Sequence, residues 1–166
     1  FPKQVVHALM SSGFIAPTPI QAMIWPVAAA GKDCLGVANT GSGKTLAFLL
    51  PILARCSSEQ KRAGGRTSAA TATPWALVMA PTRELVLQIA HELSRFERAV
   101  GLKGVAVYGG APKDEQAAQL RGGADVVVAT PGRMMDFLYL HEGMVQAGAA
   151  VVSLARTQAL VLDEAD

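Results

Sequence analysis

The stretch "ANTGSGKT", residues 38–45, is the strongest indication of the fold. It follows a short apolar run, "DCLGVA", and precedes an amphipathic run, "KTLAFLLPILARC", so the local prediction is strand, loop, helix. It matches the phosphate-binding pattern G-x-x-x-x-G-K-[ST] except that Ala38 replaces the first glycine, at a strand end where only a small residue is needed. Alone, the stretch would be a flexible turn. The flanking strand and helix favour a nucleotide site.

The chemistry of a phosphate chain explains the residues of this loop. A loop that opens a helix offers free backbone N–H groups and the positive end of the helix dipole to a negative ligand. We expect Lys44 to reach the β- and γ-phosphates and the Thr45 hydroxyl to hold Mg²⁺. The predicted nucleotide-binding residues of the loop are Ala38, Asn39, Thr40, Gly41, Ser42, Gly43, Lys44 and Thr45.

Apolar runs and helical patterns alternate along the rest of the chain. Strands are predicted at "WALVMA", "GVAVYGG", "DVVVAT" and "ALVLD", separated by helices at "RELVLQIAHELSRFERAV", "KDEQAAQLRGG" and "GRMMDFLYL". Upstream, "PKQVVHALMSS" predicts one helix, and a second has Thr18 as its N-cap and Pro19 in its first position. Near-continuous Val, Ala and Leu strands favour an α/β fold, a parallel sheet with helices on both faces.

Composition narrows the class of protein. With 166 residues, 51% hydrophobic and 17% charged, one folded domain is expected, and the net charge of +2 leaves any nucleic-acid surface to local Lys and Arg. Two cysteines without metal-ligand spacing argue against a disulfide framework or structural zinc. No run approaches ~18 apolar residues and no signal peptide is recognisable, so we expect no membrane partner and an intracellular location, cytoplasmic, nuclear or nucleolar.

A second half of a phosphoryl-transfer site ends the chain. "ALVLDEAD" places Asp163 and Glu164 directly after an apolar strand. Asp163 is expected to bind Mg²⁺ through water, and Glu164 to orient and deprotonate the attacking water, while Lys44 completes the catalytic set. Alone, "DEAD" could be a solvated acidic tail, but the phosphate loop upstream favours catalysis.

These segments and their order resemble the first RecA-like domain of a DEAD-box ATP-dependent RNA helicase, over essentially the whole chain. "GFIAPTPIQ" resembles the Q motif, "ANTGSGKT" motif I, "PTREL" motif Ia, "GG" the GG motif, "TPGR" motif Ib and "DEAD" motif II. The resemblance implies a RecA-like P-loop NTPase fold with ATP and Mg²⁺ as ligands. It also implies that the Gln21 amide, which both donates and accepts, reads the adenine edge.

The resemblance further assigns one set of residues to the RNA backbone, as sequence-independent contacts. Taken singly, Arg83 and Arg133 would be surface salt bridges and the glycine pair a plain turn, so only the constellation indicates RNA. The predicted RNA-binding residues are Pro81, Thr82, Arg83, Gly109, Gly110, Thr130, Pro131, Gly132 and Arg133.

The chain departs from the family pattern in a few places. Asn39 stands where glutamine is usual, and "HEGMVQAGAAVVSLART", between Arg133 and Asp163, is interpreted as an insertion. Residues 57–74, without hydrophobic periodicity, are predicted to form a flexible loop. The sequence ends at Asp166, before motif III and the second RecA-like domain with its arginine finger. We therefore expect residues 1–166 to behave as a monomeric first domain that binds nucleotide but does not unwind RNA.

Two other functions compete with an enzyme that uses ATP to clamp and unwind RNA. One is a catalytically silent RNA- or protein-binding module that retains its P-loop, and the other is a DNA helicase of a neighbouring family. The intact set Lys44, Thr45, Asp163 and Glu164 argues against a silent module, and "PTPIQ" with "DEAD" argues against the DNA helicase.

Overall fold

The computed structural model describes residues 1–62, 71–138 and 150–165. The helices within these ranges are α1 (Lys3–Ser11), α2 (Pro19–Ala29), α3 (Lys44–Arg62), α4 (Arg83–Val100), α5 (Lys113–Arg121) and α6 (Pro131–Leu138). The strands are β1 (Ala76–Met79), β2 (Gly104–Val107), β3 (Val126–Ala129) and β4 (Ala159–Leu162). The seven segments predicted downstream of residue 74 all form the expected element, although residues 139 and 140 of the last helical segment lie outside the described ranges.

The strands form one parallel sheet in the order β2-β3-β1-β4. Met79 pairs with Ala129 on one side and with Leu162 on the other, and Val107 pairs with Ala129. These four residues are the last of their strands, so the carboxyl ends of all four strands lie along the same edge of the sheet. In open parallel sheets this edge is where ligands bind.

Helices cover both faces, as predicted. Every residue of β3 is buried, with Val126 and Val128 in one apolar cluster and Val127 and Ala129 in another. The first cluster receives α1, α3 and α4, and the second receives α5 and α6. The largest fully buried side chains include Leu49, Leu53, Ile89, Leu93 and Phe96 in the first cluster and Leu120 and Met134 in the second.

The strand predicted at "DCLGVA" is wrong. Residues 32–39 belong to no strand, and Leu35 and Val37 are 89% and 88% exposed. An apolar run becomes a strand only where a neighbouring strand satisfies its backbone hydrogen bonds. Among the described residues one side of the sheet ends at β4, whose Leu160 and Leu162 are each 61% exposed, so β4 has no further strand paired with it. The run therefore stays outside the sheet.

The loop predicted over residues 57–74 is wrong at both ends. Helix α3 continues to Arg62, and Ser57 within it is buried, with its hydroxyl donating to the Val100 carbonyl at 2.9 Å. At the other end Ala72 forms a parallel bridge with Val152. Residues 63–70, and residues 139–149 of the segment interpreted as an insertion, lie outside the described ranges.

The described end of that inserted segment packs on the chain instead of looping away. Hydroxyl groups of two threonines bind the facing carbonyls, Thr71 to Ala150 and Thr157 to Pro74, each at 2.9 Å. The Gln158 N–H also donates to the Trp75 carbonyl at 2.8 Å. Residues 71–75 and 150–158 thus lead together into β1 and β4.

Candidate functional site

The phosphate loop has a backbone that only glycine adopts easily. Gly41 and Gly43 have φ angles of 76° and 89°, in the left-handed region where other residues are strained. A Cβ on Gly43 would also lie 2.5 Å from Nε2 of Gln21 and 3.1 Å from Oγ1 of Thr18. The loop then enters α3 at Lys44, so its N–H groups lie at a helix N-terminus.

Gln21 connects α2 to this loop. Its side chain is buried, Nε2 donates to the Gly43 carbonyl at 3.1 Å, and Oε1 accepts from the Thr18 N–H at 3.0 Å. A second bond between the helices runs from the Trp25 indole N–H to the Leu46 carbonyl at 3.2 Å. The structure thus places Gln21 against the phosphate loop, and these two bonds use one of the two N–H groups and one of the two carbonyl lone pairs of its amide.

The acidic pair meets the phosphate loop at the edge of the sheet. Asp163 continues the pairing of β4 through its N–H, which donates to the Met79 carbonyl at 2.9 Å. Glu164 follows with a φ of 52°, unusual for a residue other than glycine, and its carboxylate lies 3.4 Å from the Lys44 ammonium. The two side chains are 27% and 42% exposed, so water screens this ion pair and it is weak. A bound phosphate can therefore replace Glu164 at Lys44.

The charge around Asp163 suits a cation. Burial, and next the neighbouring Glu164 carboxylate, raise the pKa of Asp163 above its ordinary value of 3.8, against the opposing effects of the Glu164 N–H and of Lys44. A bound cation would lower that pKa again. No group of three or more His, Cys, Asp or Glu side chains suited to a metal occurs in the described part of the chain. Mg²⁺ typically binds with one or two carboxylates plus phosphates and water, so this sparse set fits it.

Two buried hydroxyl groups at the loop have no hydrogen-bond partner among the described residues. They are Oγ of Ser42, within the loop, and Oγ1 of Thr18, close to Gly43. Buried polar atoms are normally satisfied by protein, water or ligand. The Ser42 hydroxyl is therefore available to a phosphate oxygen, which supports the fit of a nucleotide.

The residues assigned to RNA follow β1, β2 and β3 at the same edge of the sheet. Pro81, Thr82 and Arg83 are exposed, and the Thr82 hydroxyl caps α4 by accepting from the Leu85 N–H at 3.2 Å. The Arg83 guanidinium lies 5.0 Å from the ring centre of Tyr108. This contact joins the connection after β1 to the connection after β2. Tyr108 was not among the residues predicted from the sequence, although an aromatic residue directly before a glycine pair was a usable signal.

The structure brings most of the remaining RNA candidates to the surface. Gly109, Gly110, Pro131 and Gly132 are exposed, and Thr130 is half-buried. Arg133 differs from them because it is buried. Its Nη1 donates to the Ala111 carbonyl at 2.9 Å, and its Nε lies 3.6 Å from the Asp136 carboxylate. Its guanidinium therefore links the connection after β3 to the connection after β2.

A model of the DEAD/DEAH box helicase family matches residues 18–166. The chain belongs to this family. It is 42% identical over its full length to "DEAD-box ATP-dependent RNA helicase 20" of Oryza sativa subsp. japonica, and 45% identical to "DEAD-box ATP-dependent RNA helicase 30" of Arabidopsis thaliana. It spans only 31% and 26% of the length of these two relatives.

Solved structures of DEAD-box proteins share the fold. The yeast DEAD-box splicing factor Prp28 superposes with a TM-score of 0.81 at 35% identity, and Prp28 of Chaetomium thermophilum, bound to ADP, with 0.80 at 37%. Each comparison covers 100% of this chain and 37% of the other. The RecA-like fold and the DEAD-box resemblance are therefore confirmed, and the chain is the nucleotide-binding domain of a DEAD-box helicase. In the described part of this domain, no helix has both the length and the apolar character needed to cross a membrane.

Proposed function

We propose that the chain binds ATP with Mg²⁺ as the first RecA-like domain of an ATP-dependent RNA helicase. The observation that carries this proposal is the approach of Lys44 to Glu164 at 3.4 Å, between two motifs that lie 120 residues apart in the sequence. A helix N-terminus, a mobile cation and two carboxylates then face one space, which is the set of groups that phosphoryl transfer requires.

Each group has a distinct role in this proposal. The N–H groups of residues 38–45 and the Lys44 ammonium bind the phosphates, and Gln21 offers its remaining N–H and lone pair to adenine. Thr45 and Asp163 hold Mg²⁺, which when bound neutralises charge on the phosphate oxygens. Glu164, released from Lys44 by the nucleotide, orients the attacking water and accepts its proton.

A direct binding titration tests this role of the loop. Fluorescent mant-ADP is titrated with Mg²⁺ into the wild-type chain and into Lys44→Ala, which removes the cation that faces Glu164. Lys32→Ala is the matched control, since Lys32 is exposed and precedes the loop. We expect Lys44→Ala alone to lose binding. Equal affinity of all three proteins would show that the loop is not the site.

We also propose that the exposed residues after β1, β2 and β3 bind the backbone of single-stranded RNA. Hydroxyl, guanidinium and N–H groups at one edge of the sheet suit phosphates and sugars, which carry no base sequence. Oligouridine and a mixed-sequence RNA of equal length should therefore bind with affinities within about threefold of each other, because the shared backbone term dominates. Binding of only one of them would contradict backbone recognition.

The chain by itself is proposed to turn over ATP very slowly. An arginine finger contributes about 10³–10⁵ in rate in related systems, and we propose that the second RecA-like domain of the parent protein supplies it. A phosphate-release assay with and without single-stranded RNA tests this, and RNA-stimulated turnover by residues 1–166 would contradict it. The parent is proposed to be a monomeric intracellular enzyme, cytoplasmic or nuclear.

A catalytically silent RNA- or protein-binding module remains the alternative. The approach of Lys44 and Glu164 favours the enzyme, because a module without turnover has no need of an intact cation and carboxylate at the phosphates. In the parent protein, Glu164→Gln should abolish RNA-stimulated phosphate release while nucleotide binding persists. No effect of this substitution would favour the silent module.

A further inference from the structure

The connection after β2 is held at both ends by buried side chains. We call residues 108–112, which contain Gly109 and Gly110, the glycine-pair loop. At its start, the Tyr108 N–H donates to Oε1 of Gln116 at 3.0 Å, and Nε2 of Gln116 donates back to the Tyr108 carbonyl at 3.1 Å. At its far end, the Ala111 carbonyl accepts from Arg133 at 2.9 Å. Gln116 belongs to none of the motifs that identify this family.

Gln116 replaces a strand partner at the point where the sheet ends. In the described sheet β2 pairs on one side only, with β3, and Val107 uses that side because its carbonyl accepts from the Thr130 N–H. The two backbone groups of the next residue, Tyr108, point to the other side, where no described strand lies opposite them. The Gln116 side chain is buried, and a buried amide is satisfied only when its donor and its acceptor both find partners. The paired bonds therefore fix the direction in which the chain leaves β2 and enters Gly109.

The two glycines between these supports have little to orient them. A Cβ on Gly109 would meet nothing within 4 Å, and one on Gly110, whose φ is 79°, would meet only Nη1 of the exposed Arg83, at 3.4 Å. Glycine backbone has more accessible conformations than any other, so the direction of these N–H groups depends on the residues that hold the loop at each end. Holding a loop in its bound conformation increases affinity because less entropy is lost on binding.

We propose that Gln116 is a positioning residue that orients the glycine-pair loop for the RNA backbone. This role rests on the proposed RNA binding of Gly109 and Gly110. Gln116 touches the backbone of Tyr108 and lies on the buried face of α5 beside Ala117, so it acts through the loop. Its effect is therefore expected on RNA affinity and absent from nucleotide affinity.

Two substitutions separate this role from simple packing. Gln116→Glu keeps the size and the acceptor but, when ionised, cannot donate to the Tyr108 carbonyl, and Gln116→Met keeps the length without either hydrogen bond. Gln119→Glu is the matched control, because it introduces the same charge on the exposed side of the same helix. Thermal melts identify any variant that fails to fold.

One experiment on the 166-residue chain measures RNA affinity, nucleotide affinity and the exchange rate of the two glycine amides. Anisotropy of fluorescein-labelled oligouridine gives RNA affinity, mant-ADP gives nucleotide affinity, and amide hydrogen exchange reports Gly109 and Gly110. We expect Gln116→Met, which lacks both hydrogen bonds, to bind RNA about tenfold more weakly, and Gln116→Glu, which lacks only the bond to the Tyr108 carbonyl, to show a smaller loss of RNA affinity. Their glycine amides should exchange faster and their mant-ADP affinity should stay within about twofold, whereas Gln119→Glu should resemble wild type in all three.

The outcomes distinguish this role from the proposed function. If the wild type binds oligouridine and both Gln116 variants bind it equally well, the positioning role is overturned and the proposed function stands. Equal losses of RNA and nucleotide affinity would also overturn it, as they indicate general damage to the fold. A wild-type chain that binds mant-ADP but no RNA overturns the proposed RNA binding and this role of Gln116 with it.

Discussion

Replacing Gly43 by alanine tests how closely α2 and the phosphate loop are joined. The new Cβ would lie 2.5 Å from Nε2 of Gln21, and the φ of 89° is unfavourable for any residue with a side chain. Gly41→Ala is the matched control. Its φ of 76° carries a similar backbone cost, but a Cβ there meets nothing within 4 Å.

The two costs can be separated in magnitude. A left-handed backbone costs an alanine about 1–2 kcal/mol, and both variants carry this term. Only Gly43→Ala displaces Gln21, which leaves a buried donor unpaired at a further cost of about 1–3 kcal/mol. At about 3 °C per kcal/mol for a domain of this size, the melting temperature of Gly43→Ala should lie roughly 3–9 °C below that of Gly41→Ala.

Thermal unfolding followed by circular dichroism, without nucleotide, measures this difference. Urea midpoints provide an independent check, because a change in midpoint at constant slope reports stability alone. Equal melting temperatures for the two variants, or a lower one for Gly41→Ala, would refute the contact between Gln21 and Gly43 as a stabilising feature.

Three further outcomes are expected. In Mg²⁺-free buffer at neutral pH, Asp163→Asn should raise the melting temperature, because the raised pKa of Asp163 means that folding disfavours its ionised carboxylate. This gain should shrink as the pH falls towards 3.8, the ordinary pKa of an aspartate, and a gain that stays constant with pH would contradict it. A disulfide reagent should modify exposed Cys34 rapidly and spare Cys56, whose pKa is raised to about 12 by burial, until urea unfolds the chain; two fast thiols would refute that burial. Arg83→Ala should weaken RNA binding and reduce the salt slope by about 0.7, while exposed Arg98→Ala at the far end of α4 should change neither; equal slopes in all three proteins would remove Arg83 from the interface.

Much of the fold could be predicted because its signals are local. Helix α4 occupies the predicted residues, with Thr82 capping its start and Gly101, at a φ of 72°, ending it. The apolar strands are also local signals. Because strands and helices alternate along the chain, the strands are expected to be parallel and to end on the same side of the sheet. The contact between Lys44 and Glu164 was predictable, because the phosphate loop follows an apolar run and the DEAD motif follows a strand.

The remaining features depend on which segments become neighbours. The run "DCLGVA" has strand composition but no paired neighbour among the described residues, and composition cannot show this. Arg133 was assigned to the RNA backbone by resemblance, but its burial and its contacts with the Ala111 carbonyl and Asp136 are visible only in the folded chain. Gln116 could have been found as a polar residue on the apolar face of α5, but its partner Tyr108 is visible only in the folded chain.

Competition for bound mant-ADP tests whether the Gln21 helix, the phosphate loop and the acidic pair form one adenine-nucleotide site. The wild-type chain is loaded with mant-ADP and Mg²⁺, and unlabelled ATP and GTP are then added separately at matched concentrations. We expect displacement by ATP and little displacement by GTP, since the Gln21 amide, fixed against Gly43, keeps one N–H donor and one lone pair that these bonds do not use. Failure of mant-ADP to bind, or equal displacement by GTP, would contradict it.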